Sequence, residues 1–194
     1  DGYNGSEEAI AYDQRPEIDR WILSRLHSLI AEVDQAYQDL EPTKAARAIQ
    51  SFTIDELSNW HVRLSRRRFW KGELTEDKMS AYQTLVECLQ TVAILGSPIA
   101  PFYLDRLFRD LQEGLGRMSD MESVHLTTFP EVKTHWIDLE LEARMALAQQ
   151  LSSQVLSLRK REKLRVRQPL RRILVPVLNA DMERRLRAVE SLIL

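Results

Sequence analysis

Apolar residues recur at spacings of three, four or seven along most of this chain, which is the period of an amphipathic helix. The first helix begins at Pro16, which suits a first turn because its missing N–H would have no helical partner there, and it ends near Pro42. Thr43 is a natural N-cap for a second, long helix that reaches about Trp70. These two helices predict the start of an antiparallel bundle.

Three more helices follow the same pattern. Thr75 caps the third helix, which stops at Gly96, and a short fourth helix begins near Pro101. The helical period is absent over residues 113–135, which contain several glycine, serine and proline residues and are predicted to form a loop. Loops of this length are usually functional or mobile. A fifth helix begins near Ile137.

The C-terminal part of the chain follows a different pattern. Residues 173–178 form a compact run of branched apolar side chains between polar residues, which predicts a strand, and Pro176 favours an edge or a bulge. Asp181 caps a terminal helix. Because a lone strand is unstable, we expect its partners beyond the end of the chain. The predicted fold class is mainly α, an antiparallel helical bundle followed by a truncated α/β segment.

Composition limits the possible classes. With 194 residues and 44% hydrophobic content, the chain can bury the core of one or two globular domains. A net charge of -2 argues against indiscriminate coating of nucleic acid. The single cysteine, Cys88, excludes a disulfide within the chain, and we expect a buried structural thiol. We expect no membrane partner, because no apolar run approaches the roughly 20 residues that span a bilayer.

The strongest local signal lies between Asp55 and Lys71, where five cations and three aromatic side chains share one predicted helix. Arginine offers planar, charged forks to phosphates and base edges, and tryptophan offers a face to an unstacked base. The mixture favours binding of single-stranded or looped nucleic acid. The alternative is a solvated charged face with ordinary core aromatics.

At about 100° per residue, this helix divides into two sides. Leu57, Trp60 and Leu64 are expected to face the core. The opposite stripe, with Arg67 at its border, is the candidate RNA contact and contains Asn59, Arg63, Arg66, Arg67 and Trp70. Arg68 falls near the apolar side, so we expect it to pair with a carboxylate or a helix C-terminus.

A second basic stretch runs from Arg159 to Arg172 and holds eight cations against one acid. Cations at the end of a helix complement its dipole, which is the simpler interpretation. Eight cations are more than the helix dipole requires, so the alternative interpretation is that some of them contact a phosphate backbone. The candidates for this contact are Lys160, Arg165 and Arg167.

The sequence shows no catalytic constellation. The four histidines are scattered, none lies at metal-ligand spacing, and there is no glycine-rich phosphate loop. Lys78-Met79-Ser80 is similar to the lysine-methionine-serine signature of class I aminoacyl-tRNA synthetases. Ala81 replaces the second lysine of that signature and the segment lies inside a predicted helix, so we expect no catalytic and no metal-binding residues.

Several motifs occur in the same order in the isoleucyl-tRNA synthetase family, which the chain resembles along nearly its whole length. They are D-R-W-I-L-S-R-L (19–26), T-K-A-A-R-A-I-Q (43–50), L-S-N-W-H-V-R-L-S-R-R-R-F-W (57–70), S-A-Y-Q-T-L (80–85), P-I-A-P-F (98–102), S-V-H-L (123–126), F-P (129–130) and V-R-Q-P-L (166–170). His61 departs from the family, in which tyrosine is usual. If this ring contacts RNA, the contact is altered here, and if it only packs, little changes.

The resemblance implies three parts: a connector from the catalytic domain at 1–15, a helical anticodon-binding domain at 16–165, and the start of the C-terminal region at 166–194. It implies that the isolated chain is not an enzyme and holds no cofactor, whereas the cytoplasmic parent joins isoleucine to its tRNA with ATP and Mg²⁺. The expected partners are the anticodon stem-loop of isoleucine tRNA and the missing catalytic and C-terminal domains. Alternatives are a related valyl or leucyl enzyme, or a helical docking module that binds no RNA.

Overall fold

The computed structural model describes residues 3–70, 72–117 and 122–193, with side chains described up to residue 190. Two compact units divide the chain, one ending at Asp138 and one beginning at Leu139. The described residues are mainly helical and include no strand, so the mainly α class is confirmed. None of the described helices has both the length and the apolarity needed to cross a membrane.

The first unit is built from consecutive helices joined by short turns. They are α1 (Glu17–Gln38), α2 (Pro42–Ser51), a π-helix (Phe52–Val62), α3 (Arg66–Trp70), α4 (Glu76–Gly96) and α5 (Pro101–Gly114). Short 3₁₀ turns span Tyr12–Gln14, Val124–Leu126 and Thr134–Trp136. The described part of the predicted 113–135 loop is irregular apart from the end of α5 and these turns; positions 118–121 lie outside the described residues.

Helix α1 lies at the centre of the first unit and contacts α2, the π-helix and α4. The apolar period predicts a stripe of Ile18, Ile22, Leu26, Leu29, Val33 and Leu40, and the middle four are buried. Ile18 is partly buried, and Leu40 is wrong, because it lies beyond the end of α1 and is 86% exposed. Burial of a large apolar side chain contributes about 1.5–3 kcal/mol. This helix therefore provides the fixed surface on which the other helices pack.

Helix α4 packs against α5 through small residues at its end. A Cβ on Gly96 would lie 2.5 Å from the Cδ1 of Leu104, so glycine at this position permits the close approach of the two helices. Cys88 is fully buried, as expected, and burial raises the pKa of its thiol well above the ordinary value. Thr75 caps α4 as expected, since its Oγ1 accepts the N–H of Lys78 at 3.2 Å.

Two predicted caps are wrong. Thr43 lies inside α2, which begins one residue earlier at Pro42, because a proline at the first helical position has φ already set for a helix. Asp181 lies inside the terminal helix, where Asn179 is the cap and its Oδ1 accepts the N–H of Met182 at 2.8 Å.

The predicted helix over 43–70 has the expected extent but not the expected hydrogen bonding. Its middle 11 residues form a π-helix, in which each turn contains more residues than in an α-helix. From Phe52 onward the buried positions are Phe52, Leu57, His61, Ser65 and Phe69, so one spacing of five precedes three spacings of four. A constant angle of about 100° per residue therefore misplaces some positions along this segment.

The second unit contains α6 (Leu139–Arg161) and α7 (Ala180–Ile193), which contact each other. Arg185 donates from Nε and Nη2 to the two carboxylate oxygens of Glu140, at 3.1 and 2.8 Å. The predicted strand at 173–178 is wrong for this structure, because these residues have no regular secondary structure and find no partner strand among the described residues. The predicted domain limits at 15/16 and 165/166 stay a prediction.

Candidate nucleic-acid interface

The outer side of the π-helix and α3 carries most of the predicted RNA contacts. Arg63, Arg66, Arg67 and Trp70 are exposed and line one shallow concavity together with Leu64; we call these five residues the cationic face. Asn59 is exposed on the same helical segment but does not line the concavity. Lys71, the fifth cation of the motif, lies outside the described residues.

The structure corrects the predicted core side of this segment. Leu57 is buried as expected, but Leu64 is 40% exposed and belongs to the cationic face. Trp60 is half-buried. The π-helix explains the error, because its additional residue per turn rotates every later position relative to an α-helix. The signal was present in the sequence as the five-residue step from Phe52 to Leu57.

The cations of the cationic face lack acidic partners in the part of the chain that the structure describes. No carboxylate among the described residues pairs with Arg63, Arg66 or Arg67, whereas the next residue, Arg68, is fully paired. Three neighbouring guanidinium groups without counter-charges create a local positive potential on a chain whose net charge is -2. Such a patch attracts an anionic partner without making the whole protein basic.

Trp70 is held beside a guanidinium yet remains accessible. Its side chain is 75% exposed, and the Cζ of Arg66 lies 5.1 Å from the centre of its ring. This distance is that of a cation–π contact, which an exposed pair makes at about 0.5–1 kcal/mol. An exposed indole beside an arginine is a surface on which an unstacked base can rest.

The inner side of α3 fixes this helix to α4. Phe69 is 8% exposed and meets the ring of Tyr82 edge to face at a centroid distance of 5.3 Å. The hydroxyl of Tyr82 donates to the Phe69 carbonyl at 3.4 Å. Trp70, the next residue, therefore points away from the core.

Beneath the cationic face lies a buried carboxylate, Asp19 of α1. Arg68 donates to its two oxygens at 2.8 and 2.7 Å, and Ser80 donates at 2.6 Å. His61 Nε2 lies 2.9 Å from Oδ1 and donates, since an ionised carboxylate only accepts. We call these four residues the Asp19 junction.

Burial alone would raise the pKa of Asp19. Hydrogen bonds from Arg68, His61 and Ser80 outweigh that effect and hold the pKa of this carboxyl well below its usual range. The expectation that Arg68 pairs with a carboxylate is confirmed. His61 is fully buried, so the departure from tyrosine changes the Asp19 junction and not the outer surface.

The second predicted basic site lies in the second unit. Lys160 is exposed in the last turn of α6, and Arg165 and Arg167 are exposed in the irregular segment that follows. Arg159 has a role that the sequence did not indicate, because its Nη1 donates to the carbonyls of Arg165 and Gln168 at 3.0 and 2.9 Å. These bonds fold the basic segment back over the end of its helix.

The lysine-methionine-serine segment has a structural role. Lys78 and Ser80 are buried within α4, and the Ser80 hydroxyl belongs to the Asp19 junction. Within the described residues, no cluster of histidine, cysteine or acidic side chains is placed to hold a metal ion.

A mainly α bundle with a cationic face is typical of helical RNA-binding domains. Residues 19–174 match the family model described as the anticodon-binding domain of tRNA ligase, and the chain belongs to this family. Its curated relatives include an isoleucine–tRNA ligase from Cytophaga hutchinsonii, which is 55% identical over 193 residues. The resemblance seen in the sequence motifs is confirmed.

Two further relatives agree. An isoleucine–tRNA ligase from Bacteroides thetaiotaomicron is 52% identical over 194 residues, and one from Thermobifida fusca is 44% identical over 177 residues. The matches cover 100%, 100% and 90% of this chain but only 17%, 17% and 16% of the Cytophaga, Bacteroides and Thermobifida proteins. The chain thus spans about a sixth of the length of the relatives it matches.

Proposed function

We propose that this chain is the anticodon-binding part of an isoleucine–tRNA ligase and that it binds isoleucine tRNA at the anticodon stem-loop. The observation that carries the proposal is the cationic face, where three arginines and a 75% exposed tryptophan line one concavity and no carboxylate of the described residues pairs with the arginines. Phosphates supply the missing counter-charge, and unpaired loop bases supply flat partners for the indole. Both are present in an anticodon stem-loop.

The candidate residues divide by the chemistry that each offers. Arg63, Arg66 and Arg67 bind phosphates or base edges, Trp70 stacks on a base, and Asn59 offers an amide to a base edge. In the second unit, Lys160, Arg165 and Arg167 neutralise backbone phosphates. Phosphate contacts set the position of the RNA, and base contacts give specificity.

The larger parent enzyme performs the chemistry in this proposal. Isoleucine, ATP and Mg²⁺ bind to its catalytic domain, where an aminoacyl-adenylate forms before transfer to the tRNA. The present chain holds the tRNA so that its acceptor end reaches that domain. We place the parent enzyme in the cytoplasm.

The experiment measures binding of a labelled isoleucine-tRNA anticodon stem-loop to this chain over a range of salt concentrations. Affinity should fall linearly with salt on a double-logarithmic plot, and replacing Arg63, Arg66 and Arg67 by alanine should reduce the slope by about 2. A matched control replaces three exposed arginines that already pair with carboxylates: Arg106, Arg184 and Arg187.

The control protein loses the same charge but should keep most of the affinity. Equal losses in the two triple variants would show that only net charge matters. Absence of binding at low salt would favour a helical docking module, an alternative supported by the exposed Phe102 and Tyr103 at the start of α5.

A stem-loop from valine tRNA tests the isoleucine assignment and should bind more weakly.

A further inference from the structure

Helix α3 is too short to set its own orientation. It has five residues, and isolated helices of that length are unstable in water. Arg66, Arg67 and Trp70 point outward, so the direction of the cationic face depends on what the inward residues hold. Those residues are Arg68 and Phe69.

The Asp19 junction brackets the part of the cationic face from Arg63 to Arg67 along the chain, and Trp70 follows two residues after Arg68. His61 lies just before Arg63, Arg68 lies just after Arg67, and both donate to the same carboxylate on α1. A segment held at both ends by one buried acceptor has little freedom to rotate. The π-helix is part of this arrangement, because its additional residue per turn brings His61 to the inner side.

Arg68 also ties the end of α3 to the next helix. Its Nε donates to the Asp77 carboxylate at 3.0 Å, and its Nη2 donates to the Asp77 carbonyl at 2.8 Å. The guanidinium is planar and rigid, so contacts with both Asp19 and Asp77 fix a direction that a flexible lysine would not fix. Ser80 attaches the same carboxylate to α4.

A buried carboxylate is an expensive way to hold helices together. Removing an ion from water costs several kcal/mol, and well-packed apolar residues of similar volume are often at least as stabilising. Apolar packing is non-directional, however, whereas hydrogen bonds to a carboxylate define angles. A directional requirement therefore accounts for Asp19 better than stability does.

We infer that Asp19 is a positioning residue for RNA binding, which acts through His61 and Arg68 to hold the cationic face in its binding orientation. This inference rests on the proposed function. Asp19 itself is 0% exposed and touches no RNA. Its effect on affinity must pass through the residues that it orients.

A double-mutant cycle tests this route. Asp19→Asn should lower the affinity for the anticodon stem-loop by about tenfold, and the loss should be smaller when Arg66 and Arg67, two of the residues that Asp19 orients, are already alanine. Phe108→Leu is the control, because Phe108 is buried in a different cluster, with Leu104 and Val124. It should destabilise the protein without changing the affinity. An equal loss from Asp19→Asn in both backgrounds would overturn the inference.

A second readout needs no RNA. The emission of Trp70 is obtained by subtracting the spectrum of the matching protein with Trp70→Phe. Asp19→Asn should change this difference spectrum, and Phe108→Leu should leave it unchanged. If Asp19→Asn prevents folding, Ser80→Ala removes one hydrogen bond from the junction and should produce the same changes at smaller size.

The outcomes separate the inference from the proposed function. If the unaltered chain fails to bind the stem-loop, the proposed function is wrong, whereas the Trp70 spectrum still decides whether Asp19 orients the face. If the chain binds and Asp19→Asn changes neither affinity nor the spectrum, Asp19 does not position the face and the proposed function stands.

Discussion

This chain has two cation-rich segments, 63–70 and 159–172. In each segment one arginine makes anchoring hydrogen bonds, but the acceptors of these hydrogen bonds differ. Arg68 reaches a buried carboxylate 49 residues away on another helix. Arg159 reaches exposed backbone carbonyls 6 and 9 residues further along its own segment. The first contact orients a surface relative to the bundle, and the second only shapes a local loop.

If both segments bind RNA as proposed, this difference predicts different tasks for them. Reading a base requires side chains that are held close to the productive geometry, and rigid elements supply this better than loops. Neutralising phosphates requires only charge nearby. We therefore expect the 63–70 segment to contribute specificity and the 159–172 segment to contribute affinity that depends on salt.

The largest expected effect concerns stability. Arg68→Ala leaves the buried Asp19 charge without its main partner and should lower the free energy of unfolding by about 3–5 kcal/mol. Arg159→Ala removes exposed hydrogen bonds and should cost about 1 kcal/mol or less. All four tryptophans lie in the first unit, so their fluorescence in denaturant measures Arg68→Ala, and far-UV circular dichroism measures Arg159→Ala. If the two variants lost similar amounts of unfolding free energy, the proposed difference between the two segments would be wrong.

Acid should affect the first segment and spare the second. Folding lowers the pKa of Asp19. The Asp19 carboxylate therefore contributes fully to the free energy of unfolding at a pH above its unfolded pKa of 3.8, and this contribution is lost as the pH falls toward the folded pKa. The effect should be smaller than that of Arg68→Ala, because a protonated Asp19 keeps some hydrogen bonds. The carbonyl acceptors of Arg159 do not titrate.

The measurement compares the unfolding free energy of the unaltered chain and of Asp19→Asn from neutral pH to below pH 4. The two curves should converge as the pH falls, since the variant has no charge to lose. Curves that stay parallel would show that the Asp19 charge does not stabilise the fold.

Removal of one side chain in the 63–70 segment, Arg66, should lower the affinity for the stem-loop. Arg66→Ala removes both a guanidinium and the cation–π partner of Trp70, and should weaken stem-loop binding by about 1–3 kcal/mol if the contact is bidentate. Filter binding at fixed salt measures the loss. Arg66→Lys keeps the charge, so recovery by lysine would indicate a phosphate contact instead of a bidentate one.

The smallest expected effect lies in the second segment. Lys160→Ala should weaken binding by less than about 1 kcal/mol and reduce the salt slope by about 0.7 if it meets one phosphate of a single strand. The loss should be the same for isoleucine and valine stem-loops. A loss confined to the isoleucine stem-loop would mean that the second segment also reads sequence.

Much of the fold follows from local pattern. The apolar period of α1, the cap at Thr75 and the end of α4 at Gly96 are confirmed because each depends on neighbours within one or two turns. The sequence also grouped Arg63, Arg66, Arg67 and Trp70, which share one exposed face in the structure, whereas their contact with RNA stays a prediction. The caps at Thr43 and Asp181 were wrong because Pro42 and Asn179 compete locally for the same role.

A constant angle placed most residues of the 57–70 segment on the correct side, but not all of them. Leu64 was placed in the core and is exposed, because the π-helix changes the rotation of everything after it. The strand predicted at 173–178 was wrong for a related reason. A strand forms only when a neighbour pairs with its backbone, and local composition does not supply that neighbour.

The sequence by itself determined the helical class, the family and the residue types from which an RNA-binding surface could be made. These properties depend on periodicity, caps and motifs, which act over short distances along the chain. Helical spacing already placed Arg68 near the apolar side. Only the tertiary structure decided that its partner is Asp19 of α1 and that Arg66 and Arg67 have no acidic partner among the described residues. That choice depends on a carboxylate from a distant part of the chain and on a π-helix that sets the rotation, and both are settled by packing.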